Sequence, residues 1–165
     1  QVSIAWPFLP FSSHHRLTIW GFVAERIAER PVLGWGMDSS RAIPGAEDEQ
    51  VVRVEVPPGS GEWAQLTEQN LPLHPHNAVL QWWLELGAVG ALLFAVLLAR
   101  LSRMALGAAN GATHRTWLGA LLLGGCAISA VSFGFWQSWW QCTLWFLAAW
   151  AAALSPAYLQ GESRS

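Results

Sequence analysis

Between Asn77 and Leu154 the chain is dominated by three apolar stretches, residues 77–99, 117–135 and 139–154. A helix of about 20 apolar residues crosses the roughly 30 Å hydrocarbon layer of a bilayer, so the first two stretches fit comfortably and the third is at the short end. The expected architecture is all-α, with three transmembrane helices preceded by an extramembrane loop region. Composition agrees, since 53% of the 165 residues are apolar, twelve are tryptophan and the formal charge is only -2. With no basic block there is no footing for nucleic acid, and the lipid bilayer is the expected surrounding. All nine basic residues are arginines, and the chain opens with Gln1 inside a hydrophobic stretch without the marks of a signal peptide, so it reads as a piece of a longer protein.

The first apolar stretch carries one acid, Glu85. A charge at mid-helix costs roughly 2.5 to 3.5 kcal/mol on insertion scales, whereas eleven large apolar side chains from Val79 to Leu98 contribute roughly -3 to -7 in sum, so the span is retained. Glu85 lies about 12 Å in from Asn77 at 1.5 Å per residue and is expected to face other helices or a wet cavity. The connection from Arg100 to Thr116 holds Arg100, Arg103 and Arg115 and no acid, which places it on the cytoplasmic side. The region before Asn77 and the FWQSWW turn then face outward, with Trp136, Trp139 and Trp140 as an outer aromatic belt and Trp117 at the inner boundary.

Residues 1–76 thus form the loop region and 77–165 the membrane region. In the former, an amphipathic helix is expected over about 13–30, with Leu17, Trp20, Ala24 and Ile27 at helical spacing, Ser12 or Ser13 as cap and Pro31 as stop. Arg16, Arg26 and Arg30 lie on its other face. A glycine loop follows over 34–45, and alternation in VVRVEV with the PPGSG turn points to a hairpin over 51–67.

At the threshold of the first span stands LPLHPHNAVLQWWLELGAVG, residues 71–90. Asn77 is a good helix N-cap, which would point the positive end of the helix, an attractor of phosphate, into the outer aqueous space. A histidine beside it, His76, has an ordinary pKa near 6.5 and can accept a proton from a nucleophile. On the residues alone, the plainer reading stays open, with His74 and His76 in a polar interfacial loop and Gly87, Gly90 and Ala91 as small residues for close helix packing. His74 and His76 with Glu47, Asp48 and Glu49 do not make a metal-ligand spacing, and neither metal nor cofactor is expected. Cys126 and Cys142, inside apolar runs, read as small hydrophobes.

The pattern H-N-x9-G-x-x-G at residues 76–90 resembles the signature of the O-antigen ligase family, which also includes O-antigen polymerases and some protein O-oligosaccharyltransferases. The upstream RLTIWGFVAERIAERPVLGWGMDSSRAIPG resembles that family's arginine-bearing outer helix and its P-x-x-G-x-G loop. The resemblance implies a multi-pass glycosyltransferase of the bacterial inner membrane, with its site facing the periplasm. It would move a glycan from undecaprenyl-diphosphate to an acceptor hydroxyl, on lipid A core or on another glycan, with inversion and without a metal. His76 falls on the family's general base and Arg16 on the arginine that grips the diphosphate. Arg41 is a second candidate for the anionic carrier, with Asn77, Glu85 and His74 in support, Glu85 either orienting the site or tying its helix to a neighbour absent from this piece. A polymerase or protein oligosaccharyltransferase would share the chemistry. A transporter or other non-enzymatic membrane protein would instead use Glu85 in an ion pathway.

Overall fold

The computed structural model describes residues 2–3, 11–57, 59–107, 111–131 and 133–153. It is mostly helical, with α1 at Phe11–Glu29, a 3-10 turn at Ser40–Ala42, α2 at Ala78–Gly107, α3 at Gly111–Val131 and α4 at Ser138–Ala153. The all-α expectation is corrected by a three-stranded sheet in which β1 (Val2–Ser3) runs parallel to β2 (Glu49–Glu55), and β2 pairs antiparallel with β3 (Trp63–Gln69). The hairpin register sets Val52 opposite Leu66 and Glu55 opposite Trp63. Residues 63, 65 and 67 face solvent in alternation, as the two-residue strand period requires.

The buried stripe of α1 is Ile19, Val23 and Ile27, four residues apart, and it packs on Ile43, Ala46, Leu71 and Leu84. This corrects the expected stripe, because Leu17 is exposed and Trp20 only borders the core. Ser12 and Ser13 lie inside the first described turn of the helix instead of capping it. The last turn pairs Arg26 with Glu29 at 2.8 Å, and the Arg30 guanidinium sits 4.1 Å from the centre of the Trp35 ring.

Among the described residues one helix, α2, is long and apolar enough to cross a membrane. The expected seventeen-residue polar connection is also different, since α2 runs on through Arg100 and Arg103 to Gly107 and α3 begins at Gly111, before Arg115. α4 is only 16 residues long.

α2 is broken at Gly87, whose φ of 66° and ψ of -168° lie outside the helical region. In an unbroken helix Ala88 N–H would bond Leu84 C=O, and Val89 N–H would bond Glu85 C=O. Here the four groups pair with the loop after α1. Trp35 N–H donates to Leu84 O (2.9 Å) and Gly36 N–H to Glu85 O (2.8 Å), while Ala88 N–H donates to Pro31 O (2.8 Å) and Val89 N–H to Val32 O (3.3 Å). The backbones touch so closely that a Cβ on Gly87 would lie 2.2 Å from Val32 O, and one on Gly34 would lie 2.5 Å from the Glu85 carbonyl. Both glycines also have positive φ. Gly87 is therefore explained by an exchange of hydrogen bonds with a loop, not by close packing of two helices.

Candidate active site

Three segments of distant sequence meet at the N-terminal end of α2. The first is LHPHN itself. Asn77 caps α2, its Oδ1 accepting from Leu80 N–H at 3.1 Å. Just before it, His76 adopts a positive φ of 53°, a conformation that non-glycine residues take only when their surroundings hold them there. The His74 and His76 rings lie 4.3 Å apart between centroids, tilted by 42°. His74 is 7% exposed, and its Nε2 is buried without a hydrogen-bond partner. Burial, reinforced by the charges of His76 and Arg41, lowers the His74 imidazole from 6.5 to about 4, so it is neutral at neutral pH.

The second segment is α1. Trp20 donates its indole N–H to Pro75 O at 2.8 Å, joining the helix to the residue between the two histidines. Arg16, one turn earlier on the same face, donates to Val131 O at the end of α3 at 2.7 Å. Beside it, His15 Nδ1 meets Glu68 Oε2 at 2.5 Å and fastens β3 to the same turn. α1 thus holds Pro75, the residue before His76, through Trp20, and the end of α3 through Arg16. The bond that it shows for the Arg16 guanidinium is to a carbonyl.

The third segment is the loop at 31–41, and here Glu85 is the hub. Its side chain is fully buried, and its carboxylate accepts from Asp38 N–H (2.8 Å), Ser40 Oγ–H (2.5 Å), Gln81 Nε2–H (3.1 Å) and the Trp136 indole N–H. Arg41 follows Ser40 directly and stands exposed, near enough to His74 to act on its charge. The expectation that Glu85 reaches a neighbour outside this piece is corrected, because loop, α2 and the α3–α4 turn of this same chain supply its donors. A carboxylate sealed by four donors is a poor ion-pathway acid, which removes the main support for a transporter.

Sequence reasoning missed Gln81 and misassigned two tryptophans. Gln81 and Glu85 are polar residues at i and i+4 in an otherwise apolar helix, a signal that they share one face. Gln81 Oε1 accepts from Phe135 N–H at 2.7 Å, extending the network to the α3–α4 turn. Trp136 is bonded to Glu85, and Trp140 is 5% exposed, so of the expected outer belt only Trp139 is well exposed. Among the described residues no group of three or more His, Cys, Asp or Glu is placed to hold a metal ion.

The arrangement offers a proton acceptor, a fixed neutral imidazole beside it, an exposed guanidinium and a capped helix end. Comparison with known proteins follows from this geometry. A profile described as O-antigen ligase matches residues 8–95, which include every residue singled out above except those of the α3–α4 turn and of α3 and α4. A Rickettsia conorii protein named "Putative polysaccharide ligase" is 34% identical over 147 residues, covering 88% of this chain and 33% of its own length. Proteins of the same name are 31% identical over 150 residues in Rickettsia typhi, covering 88% of this chain and 33% of the relative, and 36% identical over 138 residues in Rickettsia bellii, covering 82% and 31%. The chain therefore spans about a third of the length of the curated relatives it matches. No solved structure matches it.

Proposed function

The chain belongs to the O-antigen ligase family, and from that premise we propose that the protein of which it is part is a membrane glycosyltransferase. It transfers a glycan from undecaprenyl-diphosphate to an acceptor hydroxyl, as in ligation of O-antigen to lipid A core. His76 is the general base, and Arg16 and Arg41 bind the diphosphate. The acceptor oxygen attacks the anomeric carbon as its proton passes to His76, while the bond from that carbon to the diphosphate oxygen breaks. The leaving diphosphate carries away the electron pair, and its growing negative charge is met by guanidinium groups that offer paired N–H donors and keep their charge. Attack from the side opposite the leaving group inverts the anomeric centre, and no step calls for a metal.

In this reading α2, α3 and α4 lie in the bacterial inner membrane, and the segment before Asn77 faces the periplasm. Support comes from the exposed apolar residues Leu93, Leu97, Leu123, Trp145 and Phe146 along these helices, and from exposed Arg100, Arg103 and Arg115 at the opposite end from His76. The observation that carries the proposal is the placement of His76, held at positive φ against the capped start of α2 and beside His74, which itself feels the charge of Arg41. His74, Asn77 and Glu85 support it by fixing that placement.

The test is His76→Ala in the full-length protein. Transfer is expected to fall by about a hundredfold or more, the scale of a lost general base, while the protein still inserts. Unchanged glycan transfer overturns the proposal. A gel of cell-surface glycan separates the acceptors, since a ligase defect removes all capping of the core and a polymerase defect leaves single repeat units on it.

A further inference from the structure

The α3–α4 turn lies outside the residues that match the family profile, yet it touches the candidate site twice. It is held by polar contacts on one side. Phe135 N–H donates to Gln81 Oε1, Trp136 donates to Glu85, and Gln141 Nε2 closes the turn on Phe135 O at 2.6 Å. On its other side Gly134 presses on His74. A Cβ on Gly134 would lie 2.8 Å from His74 Cγ, closer than real side chains pack, and 3.0 Å from Cδ2 and 3.2 Å from Nδ1, tighter than most do. Gly134 is itself buried, so the contact lies inside the molecule.

His74 is in turn poorly tied by hydrogen bonds. Its buried Nε2 has no partner, so at that end the ring is placed by what it packs against, Gly134 and His76 among its neighbours. Packed interiors do not yield smoothly, and a displacement of one ring is passed to the next. Tryptophan in this turn therefore serves a purpose beyond burial, because the indole of Trp136 fixes to Glu85 the very turn that Gly134 presses on His74.

We infer that Gly134 is a positioning residue, and that the Gly134–Trp136 turn sets the orientation of the proton-accepting imidazole of His76 through the ring of His74. The inference rests on the proposed role of His76. It predicts that the turn acts mainly on the chemical step and less on donor binding, because Arg41 lies on another segment and Arg16 meets this part of the chain only at the Val131 carbonyl, before Gly134.

A double-mutant cycle in the full-length protein tests it, with transfer measured from an undecaprenyl-diphosphate-linked glycan. Gly134→Ala should lower kcat about tenfold or more with little change in KM, and should shift the acid limb of the pH profile, since a misplacement near 1 Å at a reacting group can cost about a hundredfold. His74→Ala should have a similar effect. In the His74→Ala background Gly134→Ala should cost nothing further, because the ring it displaces is gone. If Gly134→Ala does not accumulate, Trp136→Phe, which deletes the indole N–H and keeps a ring, takes its place in the same cycle. Wild-type kcat in the Gly134 and His74 variants, or losses that simply multiply, overturn the inference. The two failures are distinguishable, since an active His76→Ala protein overturns the proposed base itself, whereas an inactive one beside an unaffected Gly134→Ala protein overturns only the role of the turn.

Discussion

The two halves of α2 live in different surroundings. Before Gly87, Ala78, Gln81, Leu84 and Glu85 are buried by other parts of the same chain, and even the backbone groups at the break are paired with a loop. Beyond it, Leu92, Leu93, Val96, Leu97, Leu101 and Met104 are all exposed. The first, the outer half in the proposed orientation, is a core whose Gln81 and Glu85 side chains find their partners within this chain. The inner half is an apolar surface whose solvent, in the proposed reading, is lipid and the spans of the longer protein. One continuous hydrophobic tract in the sequence thus holds two kinds of hydrophobicity, and the break at Gly87 is where one gives way to the other.

Substitutions can break this contrast. The largest effect is expected at Glu85→Ala, which strands four donors, those of Ser40 and Gln81 buried and those of Asp38 and Trp136 part-buried. Each unsatisfied group costs about 1–3 kcal/mol, so more than about 3 kcal/mol of stability is expected to vanish, read as a lowered midpoint of unfolding in detergent. An effect below about 1 kcal/mol would mean that the outer half is not sealed. A smaller effect is expected from acid. Because folding lowers the His74 pKa to about 4, the unfolded chain binds more protons between roughly pH 4 and 6.5, so the contribution of this group is complete above 6.5 and falls as the pH drops through that window. The slope is at most about 1.4 kcal/mol per pH unit, and His74→Asn should flatten it. The smallest effect belongs to the inner half. Leu97→Ala, at an exposed site, should change detergent stability by about 0.5 kcal/mol or less. A loss of the size seen in buried cores would show that the inner half is packed by its own chain after all.

The apolar tracts were legible because length and hydropathy act over many residues, and the site motif was legible because His76 and Asn77 sit at an abrupt change of polarity. The cap was readable for the same local reason. What could not be read was pairing across distance. Trp136 looks the same in sequence whether it lies at a membrane boundary or donates to Glu85, because both uses want an apolar ring with one polar atom. Ile19 and Val23 were passed over for Leu17 and Trp20, since both stripes have helical spacing and only the position of Ile43 and Leu71 decides between them. Gly87 could be counted as a small residue, but its positive φ depends on a loop that lies far back in the chain.

That loop has a consequence for how the protein can be made. The bond from the Trp83 indole to Pro31 O joins residues 52 positions apart, and the backbone exchange beside it spans a similar distance. Segment 31–36 leaves the ribosome first, and until it meets the later helix the groups of Leu84, Glu85, Ala88 and Val89 can pair only with one another, as in an unbroken helix, or with water. A shortened chain that starts after Gly36 would retain every residue of the H-N-x9-G-x-x-G motif and still lack the scaffold that lets the helix bend there.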